Sequence, residues 1–169
     1  LPIWSRSKPC ATSRDMTAQT LRYRSEDLER FVERFFNKLG VPLDDAHISA
    51  RILVAADMRG VSSHGVIRIH TYYGSRIQKG LIDPLTPLIP VYETAATATL
   101  DAGNGLGMVA ASRAMERCIQ MAKQANVAVV SVRNSNHFGI AGYYAMMALK
   151  ENLLGISLTN AQPLVAPTY

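Results

Sequence analysis

The chain has 169 residues, 48% hydrophobic and 18% charged, enough for one globular domain with a real core. Its net charge of +5 does not indicate nucleic-acid binding: Arg6, Lys8, Arg14, Arg22 and Arg24 face Asp15 alone within residues 1–24, and no basic stripe with interleaved aromatics follows. No apolar run approaches the ~18 residues of a membrane span, and two cysteines, Cys10 and Cys118, are too few for a disulfide framework, which favours a reducing, cytoplasmic setting.

Residues 1–15 (LPIWSRSKPCATSRD) show no periodicity, lack the apolar core of a secretory signal, and carry two prolines that argue against a transit peptide. Residues 1–20 are therefore expected to be a disordered or non-native leader. Ser25 is predicted to cap a helix whose Leu28, Phe31, Val32, Phe35 and Leu39 form an apolar stripe, closed by Gly40 and Pro42. A second helix, about 44–59, should bury Ile48, Ile52, Ala55 and Ala56 and end at Gly60. Ser62 or Ser63 should then cap a third helix running to Lys79, placing His64 and Arg68 on one face.

A Pro-rich link, 83–90, closes this helical portion. Strands are expected at 89–93 and 96–101, a helix at 106–124, a strand at 127–132, a helix at 143–150 and a strand at 154–158. Helices first and alternation afterwards predict an α/β chain: a helical amino-terminal lobe, 21–84, followed by a mixed-sheet α/β domain, 85–169.

Two segments carry chemistry. The polar stretch 133–142 (RNSNHFGIAG) follows a strand-like run, where open α/β sheets place ligands, and presents His137. Imidazole gives and takes protons near neutral pH. The segment 62–68 (SSHGVIR) adds His64 and Arg68, an imidazole beside a guanidinium fork, which suits a carboxylate-bearing substrate. Either feature alone also fits an ordinary loop histidine or a solvated helix face. The four histidines, His47, His64, His70 and His137, show no metal-ligand spacing, so no metal site is expected.

Gly105-Leu106-Gly107-Met108-Val109-Ala110 imitates the G-x-G-x-x-A dinucleotide fingerprint. The acidic residue expected about twenty positions on, at the end of the next strand, is missing from 126–135. These glycines are read instead as serving a turn and close packing.

Together, SSHGVIRIHTYYGSRIQKGLIDP (62–84), NSNHFGIAGYYA (134–145) and TNAQPLVAP (159–167) resemble three signature blocks of the malate/L-lactate dehydrogenase family, in the same order. The resemblance implies a fold that is not a classical Rossmann fold and an NAD- or NADP-dependent oxidoreductase acting on a small 2-hydroxy or 2-oxo acid, malate or lactate first. It assigns His137 as first choice for the proton acceptor, with His64 as partner or alternative. Arg68 becomes the carboxylate clamp, Ser63 an orienting residue, and Thr159, Asn160 and Ala161 cofactor-pocket residues. It further implies a homodimer, and that the chain is the amino-terminal portion of a longer enzyme, truncated at the carboxyl end and inactive alone. A different class, an inactive fragment or interaction module that keeps these loops as structure, stays open at this point.

Overall fold

In the computed structural model, residues 22–160 are described. Helix α1, Ser25–Lys38, begins with Glu26 and Asp27 and ends with Lys38, charges that complement the helix dipole. Arg24, not Ser25, holds the capping position, and no side chain caps the helix. Its core contacts are Val32 and Phe36, with Phe35 and Leu39 packed alongside, whereas Phe31 is half exposed. The apolar stripe is thus rotated slightly from the predicted one, because Phe36 competes for the inward position and takes it.

Helix α2, Leu43–Met58, is buried on almost every side through Ala46, Ser49, Ala50, Ile52, Leu53, Val54 and Ala56. Such a helix belongs at the centre of the packing. Its one buried charge, Asp45, pairs with Arg113 of helix α4, Gly107–Ala125. Burial raises the Asp45 pKa and outweighs the Arg113 charge, which acts in the opposite direction.

The predicted third helix is not continuous. A single 3-10 turn, Ser62–His64, gives way to extended backbone at Gly65, then a π-helical turn, Ile69–Gly74, and a short α3, Ser75–Gln78. The cause is the Asp57 carboxylate at the end of α2. It accepts the Val66 N–H at 2.8 Å, and a Cβ on Gly65 would overlap it. Holding that turn onto α2 prevents an uninterrupted helix, so His64 and Arg68 do not share one regular helical face.

Strands β1, Ile89–Glu93, β2, Thr97–Gly105, and β3, Val129–Ser135, form a mixed sheet in the order β1-β2-β3. β1 and β2 are antiparallel; β2 and β3 are parallel, with α4 as the crossover between them. On β2, Ala98, Leu100 and Ala102 alternate inward. β3 extends into Arg133–Ser135, which the sequence reading assigned to the loop, because Asp101 pairs with Arg133 in register and its carboxylate bonds Arg133 and Asn134. Helix α5, Ala141–Met147, follows.

The strand expected at 154–158 is absent among the described residues. The segment keeps the alternation, leaving Leu154, Ile156 and Leu158 at 88%, 68% and 86% exposure, but no described strand pairs with it. The period was right, and the pairing that makes a strand is missing.

One apolar cluster joins the parts: Phe36, Ile52, Leu53 and Tyr73 meet Leu106, Met108, Val109 and Tyr144. Among the described residues, no helix is long and apolar enough to cross a membrane.

Candidate functional site

Asn136 anchors the segment that leaves β3. Its side-chain amide donates to the Asn104 and Gly105 carbonyls, both at 2.9 Å, and so ties the loop to the end of β2. Gly107 permits the same approach from the start of α4, since a Cβ there would overlap the Asn136 carbonyl oxygen and crowd that of His137. A Cβ on Gly105 would press on Thr86 in the same way. The two glycines of the false fingerprint therefore serve close packing, as their sequence context implied. On the far side, Tyr144 of α5 donates to the Phe138 carbonyl and stacks on the Phe138 ring at 5.1 Å. His137 is thus braced from both flanks.

Opposite stands the 62–74 segment. The His64 and His137 rings stack with centroids 5.3 Å apart and planes 27° from parallel. Tyr72 lies 5.3 Å from the His137 ring, centroid to centroid, and Tyr73, fully buried, places its hydroxyl 2.6 Å from His137 Nδ1. Ser63 holds two neighbours: its hydroxyl meets His64 Nδ1 at 3.0 Å and its carbonyl accepts Arg68 Nε at 2.6 Å. That second bond occupies one edge of the guanidinium and leaves its terminal nitrogens, Nη1 and Nη2, for an anion. The Arg68 guanidinium carbon sits 6.0 Å from the Tyr72 ring centre, and that of Arg76 sits 4.4 Å away on the same ring.

The electrostatics follow from this crowding. Burial first, then the neighbouring His64 and Arg68, push the His137 pKa down to about 4. At neutral pH His137 is therefore the uncharged imidazole, able to accept a proton, beside a fixed cation able to hold a carboxylate. No group of three or more histidine, cysteine, aspartate or glutamate side chains suited to a metal occurs among the described residues.

The structure brings His137, His64, Arg68 and Ser63 into one cluster. Thr159 and Asn160 are exposed at the end of the extended segment, where Thr159 Oγ1 bonds only the Asn160 carbonyl. Neither bonds the cluster among the described residues, and Ala161 lies outside them.

The sequence profile of the malate/L-lactate dehydrogenase family matches residues 23–169. The chain belongs to this family. A malate dehydrogenase of Pyrococcus abyssi is 45% identical over 149 residues, 88% of this chain and 41% of the relative. An L-sulfolactate dehydrogenase of Methanocaldococcus jannaschii is 41% identical over 144 residues, 85% of this chain and 42% of the relative. The solved structure of malate dehydrogenase from Pyrococcus horikoshii superposes with a TM-score of 0.83 at 45% identity, covering 88% of this chain and 42% of that one. The chain thus spans about two fifths of the length of these malate/L-lactate dehydrogenase relatives.

Three members of the cluster in this family member escaped the sequence reading. Tyr72 and Tyr73 fall within the helix expected up to Lys79, whereas the π turn lets Tyr72 meet His137 and Arg76 while Tyr73 enters the core. Asp57 was read as part of a helix end, but its carboxylate shapes the His64 turn. The available signals were a tyrosine pair inside an apolar segment and a carboxylate one turn ahead of a glycine-rich break.

Proposed function

We propose that this chain carries the substrate-handling part of a nicotinamide-dependent dehydrogenase. The reaction interconverts a small 2-hydroxy acid and its 2-oxo acid, with malate or lactate as the first candidates. The single observation behind this reading is the gathering of two stacked imidazoles beside a guanidinium whose terminal nitrogens are unengaged among the described residues. A 2-hydroxy acid offers a carboxylate and, on the adjacent carbon, a hydroxyl whose proton must leave as the carbon is oxidised. The malate and L-sulfolactate dehydrogenases that this chain resembles act, by name, on acids of this kind.

Arg68 receives the carboxylate end-on through Nη1 and Nη2. His137 is the first choice for the group that takes the hydroxyl proton and returns it in the reverse direction, with His64 as its partner or alternative. Ser63 orients both His64 and Arg68. When bound, the nicotinamide of NAD or NADP takes the hydride from the carbinol carbon or gives it back. The exposed hydroxyl of Thr159 and amide of Asn160 suit the polar groups of such a cofactor, with Ala161 beside them in sequence. We extend the reading to a homodimer in a cytoplasmic setting; the free thiol of Cys118 fits reducing conditions.

The test is a nicotinamide absorbance assay on the protein carrying these residues, with oxaloacetate or pyruvate and NADH or NADPH. Turnover of either 2-oxo acid supports the reading, and no turnover of any small 2-oxo acid with either cofactor contradicts it.

A further inference from the structure

We propose that Tyr73 is a positioning residue that, together with the Gly139 N–H, holds the proton of neutral His137 on Nε2. The proposal rests on the reading of His137 as a proton-handling residue, but its geometry stands apart from activity.

His137 Nδ1 faces two groups. The Tyr73 hydroxyl lies 2.6 Å away, and the Gly139 N–H donates to the same nitrogen at 3.3 Å. A hydroxyl can donate or accept, whereas a backbone N–H can only donate. With Gly139 pointing its hydrogen at Nδ1, that nitrogen must offer a lone pair, and the shorter Tyr73 bond is then also a donation. Burial holds the Tyr73 phenol far above its ordinary range, so the hydroxyl keeps its hydrogen to give. Among the described residues, the only other acceptor within reach of this hydroxyl is the His137 carbonyl, at 3.4 Å. Nε2 makes no hydrogen bond to a described residue, so the tautomer is decided at Nδ1 alone.

The groups that face His137 are all on the 62–74 segment or next to it in sequence. They are His64, Arg68, Tyr72 and Tyr73, with Gly139 closing the loop side. Among the described residues, only Tyr73 and Gly139 touch Nδ1. The consequence for the proposed chemistry is directional. Neutral His137 presents an N–H to a substrate oxygen, which suits polarising the carbonyl of a 2-oxo acid. Taking a proton from a 2-hydroxy acid at Nε2 needs the Nδ1–H form, in which Tyr73 must turn to accept and donate to the His137 carbonyl. Tyr73 is thus the one partner able to serve both forms, and Gly139 biases the resting one.

The test is nitrogen-15 NMR of the histidine rings in the protein carrying these residues, recorded through a pH titration for the wild type and for Tyr73→Phe. The wild type should show His137 protonated on Nε2 and bare at Nδ1 when neutral. Phenylalanine keeps the ring contacts with Phe36 and Tyr72 and removes only the hydroxyl. In that variant the Nδ1–H form should become populated, and the His137 midpoint should rise by roughly half to one pH unit, the worth of one lost neutral hydrogen bond. His47 of α2, paired with Glu33 of α1, should stay unchanged as the reference for intact structure. A wild-type His137 protonated on Nδ1 overturns the proposal without any variant, and so does an unaltered tautomer and midpoint in a folded Tyr73→Phe. Neither readout depends on turnover, so failure of the dehydrogenase reading appears in kinetics and failure of this one in the spectra.

Discussion

His64 and His137 stack at 5.3 Å between ring centroids, a separation at which two imidazolium charges would repel strongly. His137 is the ring kept uncharged at neutral pH, by its burial first and then by the neighbouring His64 and Arg68. A neutral imidazole stacked on a second one, next to a fixed cation, is what links the fold to the proposed chemistry.

This arrangement makes stability depend on pH. The folded pKa of His137, about 4, lies below its unfolded value of 6.5. Between those values the unfolded chain binds a proton that the folded chain refuses, so the stabilisation present above pH 6.5 is lost as pH falls toward 4. Thermal unfolding of the wild type and His137→Gln across this window should show the wild type losing stability faster as the solution is acidified. Parallel curves would mean that the imidazole is not held neutral by its surroundings.

Arg68→Lys should raise the apparent KM for a 2-oxo acid by about tenfold or more, with cofactor affinity near normal, because an ammonium cannot reproduce the end-on fork. The same change also removes the Nε bond to the Ser63 carbonyl, so His64 loses part of its support. Steady-state kinetics with separate substrate and cofactor titrations check this. An unaltered substrate KM removes Arg68 from the site.

Gly107→Ala should cost about 1–3 kcal/mol, the usual penalty of forcing atoms into a packed position. The obstacle is backbone, the Asn136 carbonyl, and not a flexible side chain. Relief requires the His137 loop to move away from α4, so turnover should fall together with the denaturant midpoint. A variant as stable as the wild type would show that the loop sits further from α4 than described.

Much of the site was legible in the sequence, because its parts are short and local. The loop carrying His137 after β3, the His64–Arg68 segment and the packing role of Gly105 and Gly107 were all readable from residue type and order. The approximate positions of β1, β2, β3 and the long α4 were equally readable from hydrophobic period. What failed depended on distant partners. The Asp57 carboxylate breaks the expected third helix from nine residues before Val66, and the π turn that aims Tyr72 and Tyr73 has no local signature. The 154–158 segment has strand alternation, yet a strand exists only where another chain segment pairs with it.

That segment yields a further expectation. Leu154, Ile156 and Leu158 form an exposed apolar row on backbone that pairs with no described strand, a combination that promotes association. The 169-residue chain should self-associate in light scattering, and Ile156→Lys should reduce the effect. A monodisperse monomer in the wild type would show that the row is covered.

The most direct test of the account compares turnover of His137→Gln and His64→Gln with the wild type in the protein carrying these residues, assayed with oxaloacetate and pyruvate. Glutamine keeps size and hydrogen bonding but cannot cycle a proton. The account predicts a fall of roughly 10²–10⁴-fold in kcat for His137→Gln, with cofactor binding intact. A severe loss at His64 and a mild one at His137 would exchange their roles, and rates within a few-fold of wild type for both variants would contradict the proposed mechanism.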